Sequence, residues 1–309
     1  KKFVDNNFKI SKKTKIVSLE SAITDNIKPG NIVFLGGFGH AIPFYSSHEI
    51  IRQNIKDLTI CRSGADILFD QMIASGIVSK VIFGYIGNPG VGLSHSFRKA
   101  VKDHKILLEE WTNYSLILRL HAGRMGLPFI PSKILQIGDM PDNIKYMKTI
   151  KCPYTDIDMS AIPALVPDVA VIHAQQADEF GNIQMWGVDG DTIEGALASN
   201  KIIVSVERIV DNSEIKKFPD RTVIPAHRVS AVVELPWGAY PSYVTDFYSR
   251  DDKHYIEYDK ISRDPDLLND YIDEWIRNIQ SIEEYMKLIG KKNLKELQNG
   301  MCGLKSNDE

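Results

Sequence analysis

The sequence predicts an α/β fold, an open and mostly parallel sheet with helices on both faces and a C-terminal helical extension. Three observations predict it. Short apolar runs of strand length alternate with segments whose apolar residues recur at helical spacing, and that order implies parallel strands joined by crossover helices. At 309 residues, 43% hydrophobic and 25% charged, the chain can bury a substantial core. Three consecutive strand-like runs also end in glycine or small polar residues, which would place several turns along one edge of a sheet.

Taken in order, "NIVFLG" (31–36) is a short buried-strand pattern, and "PFYSSHEIIRQNI" (43–55) is a helix opened by proline. "DLTICRS" (57–63) is the second strand, followed by a helix over 65–76 that stops at Gly76. "SKVIFGYIG" (79–87) is the third strand, 93–105 a helix, "ILLEE" (106–110) the fourth strand and 112–126 a helix ended by Gly126. Residues 139–165, rich in Asp, Pro and Lys, read as an irregular excursion. The alternation then resumes with strands at 168–174, 182–187, 201–207 and 230–236 and a helix at 192–200. Residues 264–290 read as one long amphipathic helix, with Tyr271, Trp275, Ile279, Ile282 and Met286 near helical spacing. The expected organisation is a single domain over 1–309, with a sheet-centred core at 14–262, a C-terminal helix at 263–290 and a tail at 291–309.

The most informative turn is "LGGFGH" (35–40). Glycine permits positive φ and close backbone approach, and exposed amides there can hydrogen-bond an oxyanion. Gly36, Gly37 and Phe38 are therefore candidate binding residues, against the alternative of a turn needed only for packing. It is not a phosphate loop, since neither GxxxxGK[ST] nor GxGxxG occurs. "CRSGAD" (61–66) and "GYIGNPGVG" (84–92) end the next two strands and make Ser63, Gly64 and Asn88 candidates, with ordinary turn chemistry as the competing account. "LLEEWTN" (107–113) offers Glu109 and Glu110 as weak candidates for a carboxylate nucleophile or base; neighbours in a strand face opposite sides, so at most one points at a site. His173 follows an apolar strand, but a histidine base needs a nucleophile and an orienting acid, and the sequence names neither. A hydrogen-bonded structural histidine is the expectation there.

The net charge of −3, without a basic block, excludes nucleic acid as an expected partner. Three widely spaced cysteines and no HExxH or CxxC spacing point to neither a disulfide framework nor a metal site. Residues 1–15 are polar and basic, and no apolar run reaches membrane-spanning length, so a cytoplasmic chain without a membrane partner is expected.

These stretches resemble the α subunit of family I coenzyme A transferases, particularly the branch of the glutaconate CoA-transferase α chain. The resembling segments are "PGNIVFLGGF" followed after four residues by Pro43, "LPFIP" (127–131), "VAVIHAQQAD" with its following "GN", and "VELPWGAYPS" (233–242), in matching order from about residue 16 to 290. The broader family signature has a further glycine where Ile42 stands, as the glutaconate-like branch also lacks it. The resemblance implies the family's open α/β sheet, no permanently bound cofactor, coenzyme A as a substrate, and pairing with a homologous β subunit in an α2β2 or larger assembly. It also implies that a β-subunit glutamate in a Ser-Glu-Asn motif forms an acyl-glutamyl anhydride and then a glutamyl-CoA thioester. This chain has no "SEN", which agrees with an α subunit. Two departures bear on the reaction. Pro89 stands where the glutaconate-type turn carries a serine that holds a distal carboxylate, which puts a dicarboxylate substrate in doubt. Asn113 stands where the ring-cleaving hydrolases carry a catalytic glutamate, which weakens a hydrolase reading and makes Asn113 a candidate binding residue. Hydrolysis, C–C cleavage or decarboxylation on the same scaffold, and a non-catalytic CoA-ester-binding subunit, are the alternatives.

Overall fold

The structure, a computed structural model, describes residues 14–136, 139, 140, 144 and 147–302. Seven parallel strands form the central sheet in the spatial order β4 (Leu107–Glu110), β3 (Val78–Ile86), β2 (Leu58–Ala65), β1 (Ile32–Leu35), β8 (Val169–Ala177), β10 (Lys201–Ile209) and β12 (Ala231–Glu234). The far half of β8 extends beyond β1 and pairs antiparallel with the two-residue β9 (Ile183–Gln184), which pairs in turn with β11 (Thr222–Ile224). Every residue of β8 is buried, as a central parallel strand covered on both faces requires.

Alternate side chains of each central strand enter different cores. Val33 and Leu35 of β1 and Val169 and Val171 of β8 join one core; Phe34, Ala170 and Ile172 join the other. Burying each Val, Leu, Ile or Phe side chain contributes roughly 1.5–3 kcal/mol. The first core is covered by α1 (Leu19–Asn26), α2 (Phe44–Arg52), α3 (Ile67–Ala74) and the C-terminal helices; the second lies under α5 (Asn113–Arg124) and α6 (Thr192–Ala198). Local signals start several helices. Asp66 caps α3 by accepting from the Leu68 amide at 3.0 Å. Thr112 and Ser115 form a reciprocal capping box at α5.

The structure corrects three of the expected elements. Residues 139–165 are not simply irregular: β6 (Lys148–Lys151) and β7 (Asp158–Pro163) form an antiparallel three-stranded sheet with β5 (Phe129–Ser132), although 137, 138, 141–143, 145 and 146 lie outside the described residues. The strand expected at 182–187 shrinks to the two residues of β9 and runs antiparallel. Two further helices, α7 (Asn212–Lys217) and α8 (Asp252–Ile261), lie within the expected sheet-centred core. The single helix expected at 264–290 is broken. It runs as α9 (Pro265–Ile272), continues as a π turn over Asp273–Arg277, and restarts as α10 (Ile282–Ile289) behind Ser281, whose hydroxyl accepts from the Glu284 amide at 3.2 Å. Residues 291–302 of the expected tail form α11 (Lys291–Cys302). Tyr271 and Ile279 are buried in the first core, and Trp275, Ile282 and Met286 pack on it, so this extension covers its own domain. Among the described residues no helix is long and apolar enough to cross a membrane.

Candidate functional site

The turn after β1 lies at the carboxyl edge of the sheet, and its glycines are required by what surrounds them. Gly36 closes β1, with its amide donating to Val171 O at 2.9 Å. A methyl group on it would stand 2.8 Å from Ile172 Cγ2. Gly37 has φ +94°, and a Cβ there would lie 2.7 Å from the Ile42 Cα and 2.9 Å from the His40 carbonyl. Both backbone conformation and space therefore exclude other residues.

The peptide between Gly36 and Gly37 is fully engaged. Its N–H donates to Thr192 Oγ1 at 2.8 Å, and its carbonyl accepts from Arg62 Nη1 at 3.1 Å. The Phe38 amide donates to His40 O at 3.2 Å. The expected row of free amides at residues 36–38 is thus corrected: all three are spent inside the chain. The Gly39 amide makes no hydrogen bond to the described residues, and Gly39 and Phe38 are the exposed members of the turn.

Arg62 is a wholly buried cation between the ends of β1 and β2. Besides Gly36 it donates from Nε to Gly64 O at 2.8 Å, and its Nη2 pairs with Asp66 Oδ2 at 2.8 Å. A buried guanidinium persists only with such partners. Ser63, also buried, donates its amide to Asp191 Oδ2 at 2.7 Å. Asp191 occupies the N-cap position of α6 without making a cap bond, because its carboxylate is turned to β2 instead. Burial raises the Asp191 carboxyl above its ordinary value, opposed chiefly by the Ser63 amide. Gly64 gives space to Phe38: a Cβ there would lie 2.6 Å from Phe38 Cε2, and the other side of Phe38 lies against Gly190. The ring rests between two glycines and remains 44% exposed.

His40 fixes the far side of the turn. Its Nδ1 donates to Val188 O at 2.7 Å, while Nε2 accepts from the Thr245 amide at 3.2 Å. Burial pushes its pKa down to about 4, so the ring is neutral and both roles are defined near neutral pH.

The remaining candidates separate. Asn113, the first residue of α5, is exposed and lies against Gly84 at the end of β3. Asn88 is buried and donates from Nδ2 to Tyr255 O at 2.9 Å, so it anchors its own turn to α8. Glu109 pairs with Lys80 Nζ at 2.5 Å and with Arg119 Nη1, and accepts from Trp111 Nε1 at 3.1 Å; these partners occupy it as a structural ion-pair centre. Glu110 is exposed on β4, the outermost strand. Among the described residues no cluster of three or more His, Cys, Asp or Glu is arranged for a metal ion.

The structure thus brings Gly36, Gly37, Phe38, Ser63 and Gly64 together. The residues that sequence reasoning missed come from one loop, 187–192, which supplies Val188, Gly190, Asp191 and Thr192. "GVDGDT" carries a legible turn signal, but nothing in it says that its polar groups point at a turn some 150 residues earlier.

The coenzyme A transferase family model matches residues 16–235. Over 280 residues the chain is 38% identical to the A chain of the 3-oxoadipate CoA-transferase of Pseudomonas knackmussii, covering 90% of this chain and 99% of that one. It is 31% identical over 303 residues to the A chain of the glutaconate CoA-transferase of Acidaminococcus fermentans, covering 92% and 95%. The crystal structure of glutaconate coenzyme A-transferase from that organism matches with a TM-score of 0.87 at 30% identity, over 92% of this chain and 95% of the other.

Proposed function

Because this chain belongs to the coenzyme A transferase family, we propose that it is the α subunit of a two-chain enzyme that moves CoA between a CoA ester and a free carboxylic acid. The observation that carries this reading is the likeness, at 38% identity and 99% coverage, to a chain named as one of the subunits of a 3-oxoadipate CoA-transferase. The site geometry supports it. The turn at residues 36–39 offers a rigid, uncharged surface at the sheet edge, while Glu109, three strands away on β4, is committed to Lys80 and Arg119. The reacting carboxylate is then supplied by a homologous partner subunit.

The reaction balances without a cofactor. The partner's carboxylate attacks the thioester carbonyl, and CoA leaves as the thiolate, giving a mixed anhydride. The thiolate attacks the glutamyl carbonyl, which forms the glutamyl-CoA thioester and releases the first acid. A second carboxylate reverses both steps and departs as its CoA ester. A carboxylate is a weak nucleophile, so orientation and charge stabilisation carry the rate. In this reading Phe38, Gly39, Gly64 and Asn113 face the acyl group, Gly36, Gly37 and Ser63 shape the floor, and Asn88 secures the neighbouring turn. The assembly is α2β2 or larger and cytoplasmic.

The test is reconstitution. The chain alone is expected to be inactive with acetyl-, succinyl- or glutaryl-CoA, and to gain exchange with a carboxylic acid when combined with a homologous chain that carries the Ser-Glu-Asn motif. Turnover that continues without an acceptor acid would instead identify a hydrolase or decarboxylase.

A further inference from the structure

Behind the glycine turn a buried glutamate gathers three donors. Glu207 lies on β10, two residues past Ser205, which pairs with His173 of β8. Its Oε1 accepts from His173 Nε2 at 2.8 Å and from the Tyr248 hydroxyl at 2.6 Å; Oε2 accepts from the Trp237 amide at 2.9 Å. His173 Nδ1 stands 2.8 Å from Ser205 Oγ. Serine, histidine and glutamate follow one another in the order of a hydrolytic relay, but Ser205 and His173 have no exposed surface, and no substrate carbonyl can meet that serine.

What the glutamate holds is backbone. Trp237 has φ +65°, a strained conformation for a bulky residue. The hydrogen bond its amide donates to Glu207 and a stack on Tyr248, with centroids 4.1 Å apart, keep it there. From this point the chain passes along the back of residues 40–45. Gly238 O accepts from the Tyr45 amide at 3.0 Å, Ser242 Oγ from the Ile42 amide at 3.1 Å, and Tyr243 O from the Ala41 amide at 2.9 Å. Thr245 adds the bond to His40.

We propose that Glu207 is a positioning residue: by clamping the Trp237 turn it holds segment 238–245, and through that segment the glycine turn, in register with the sheet edge. The donor count explains why a carboxylate is needed. Three hydrogens converge on Glu207, and an ionised carboxylate only accepts. A glutamine of the same shape presents an NH2 group on one side: it either faces the Trp237 amide, a donor against a donor, or forces His173 and Tyr248 to turn their hydrogens away from residue 207. The coupling itself stands on geometry; its consequence for turnover rests on the transferase reading.

Amide hydrogen exchange on the purified chain tests it. With Glu207→Gln, the Ala41 and Ile42 amides are expected to exchange at least about tenfold faster, while β2 and β3 keep their protection. Unchanged exchange at Ala41 and Ile42 would overturn the proposal. Should Glu207→Gln loosen the whole sheet, Tyr248→Phe decides. It removes one donor and leaves the carboxylate in place; faster exchange at 41–42 alone supports the coupling, and exchange equal to wild type refutes it. In the assembled enzyme, kcat is expected to fall at least tenfold in Glu207→Gln with KM changed less than about threefold. Faster exchange with unchanged kcat would uphold the coupling and refute the role given to the turn.

Discussion

The turn after β1 and the turn after β3 both end a parallel strand in glycines at the same edge of the sheet, and they are built in opposite ways. The β3 turn closes largely on itself, with outside bonds from Asn88 to Tyr255 O and from Arg250 to Pro89 O. The Asn88 amide donates to Gly92 O at 3.0 Å, and the Gly92 and Val91 amides return to Asn88 O at 2.9 and 3.0 Å. Gly90 has φ +78°, but the atom nearest to a Cβ placed there is Arg250 Nη1 at 3.9 Å. The β1 turn is held from afar, by Thr192, Ser242, Tyr243 and Val188. Gly90 is needed only for backbone conformation, although Gly92 in the same turn is crowded by Asp259, whose Oδ1 would clash with a Cβ there. Gly37 is needed for conformation and for space, because its own turn folds back on it at Ile42 and His40.

Substitution at the two glycines should expose that difference most strongly. Gly37→Ala combines a disfavoured φ with contacts under 3 Å to backbone, and an expected loss of about 4 kcal/mol in urea-unfolding free energy follows from strain plus overpacking. Gly90→Ala meets only the conformational cost, about 1–2 kcal/mol. Equal losses at the two positions would break the comparison.

The pH dependence gives the next largest effect. His40 is held neutral by burial, with its pKa lowered to about 4 from 6.5. The unfolded chain binds this proton below about 6.5 and the folded chain does not, so stability is complete above that pH and is lost as pH falls towards 4. The contribution is about 3 kcal/mol over the window. His48 and His254, lowered by burial to about 3 and 4, act in the same direction, and Asp70, raised by burial to about 6, acts against them. The difference between wild type and His40→Gln isolates the one site: the variant's unfolding free energy should fall less steeply between pH 6.5 and 4. Parallel curves would mean that His40 is not buried as described.

Thr192→Val should cost about 1–3 kcal/mol, because it leaves the buried Gly37 amide without an acceptor. Asn88→Ala, which removes a single bond to Tyr255 O, should cost about 1 kcal/mol and leave the β1 turn's amide exchange unchanged.

The same contrast explains what could be read from sequence. Strands such as β1 to β3 and helices such as α2 and α5 are set by local apolar period and caps, and they fall within a few residues of expectation. The break in the C-terminal helix also had a local signal, Ser281 followed three residues later by Glu284, hidden inside an unbroken apolar stripe. The glycines of the β1 turn were visible; their constraints were not, since Thr192, Ser242 and His40 meet only after the sheet has formed. Nor could sequence show that the amides at 36–38 are consumed internally, or that Glu109 is bound by Lys80 and Arg119. His173 is structural as expected, but its partners Ser205 and Glu207 lie on a neighbouring strand, where only the β8–β10 register reveals them.

The central claim is that this chain shapes the acyl site while another chain supplies the attacking carboxylate. Borohydride reduction of the assembled enzyme during turnover, followed by peptide mass spectrometry, tests it most directly, because reduction converts a glutamyl thioester to an alcohol at the reacting residue. The account predicts that the reduced residue is a glutamate of the partner, with Glu109 and Glu110 unmodified. A reduced glutamate on this chain, and none on the partner, would contradict it.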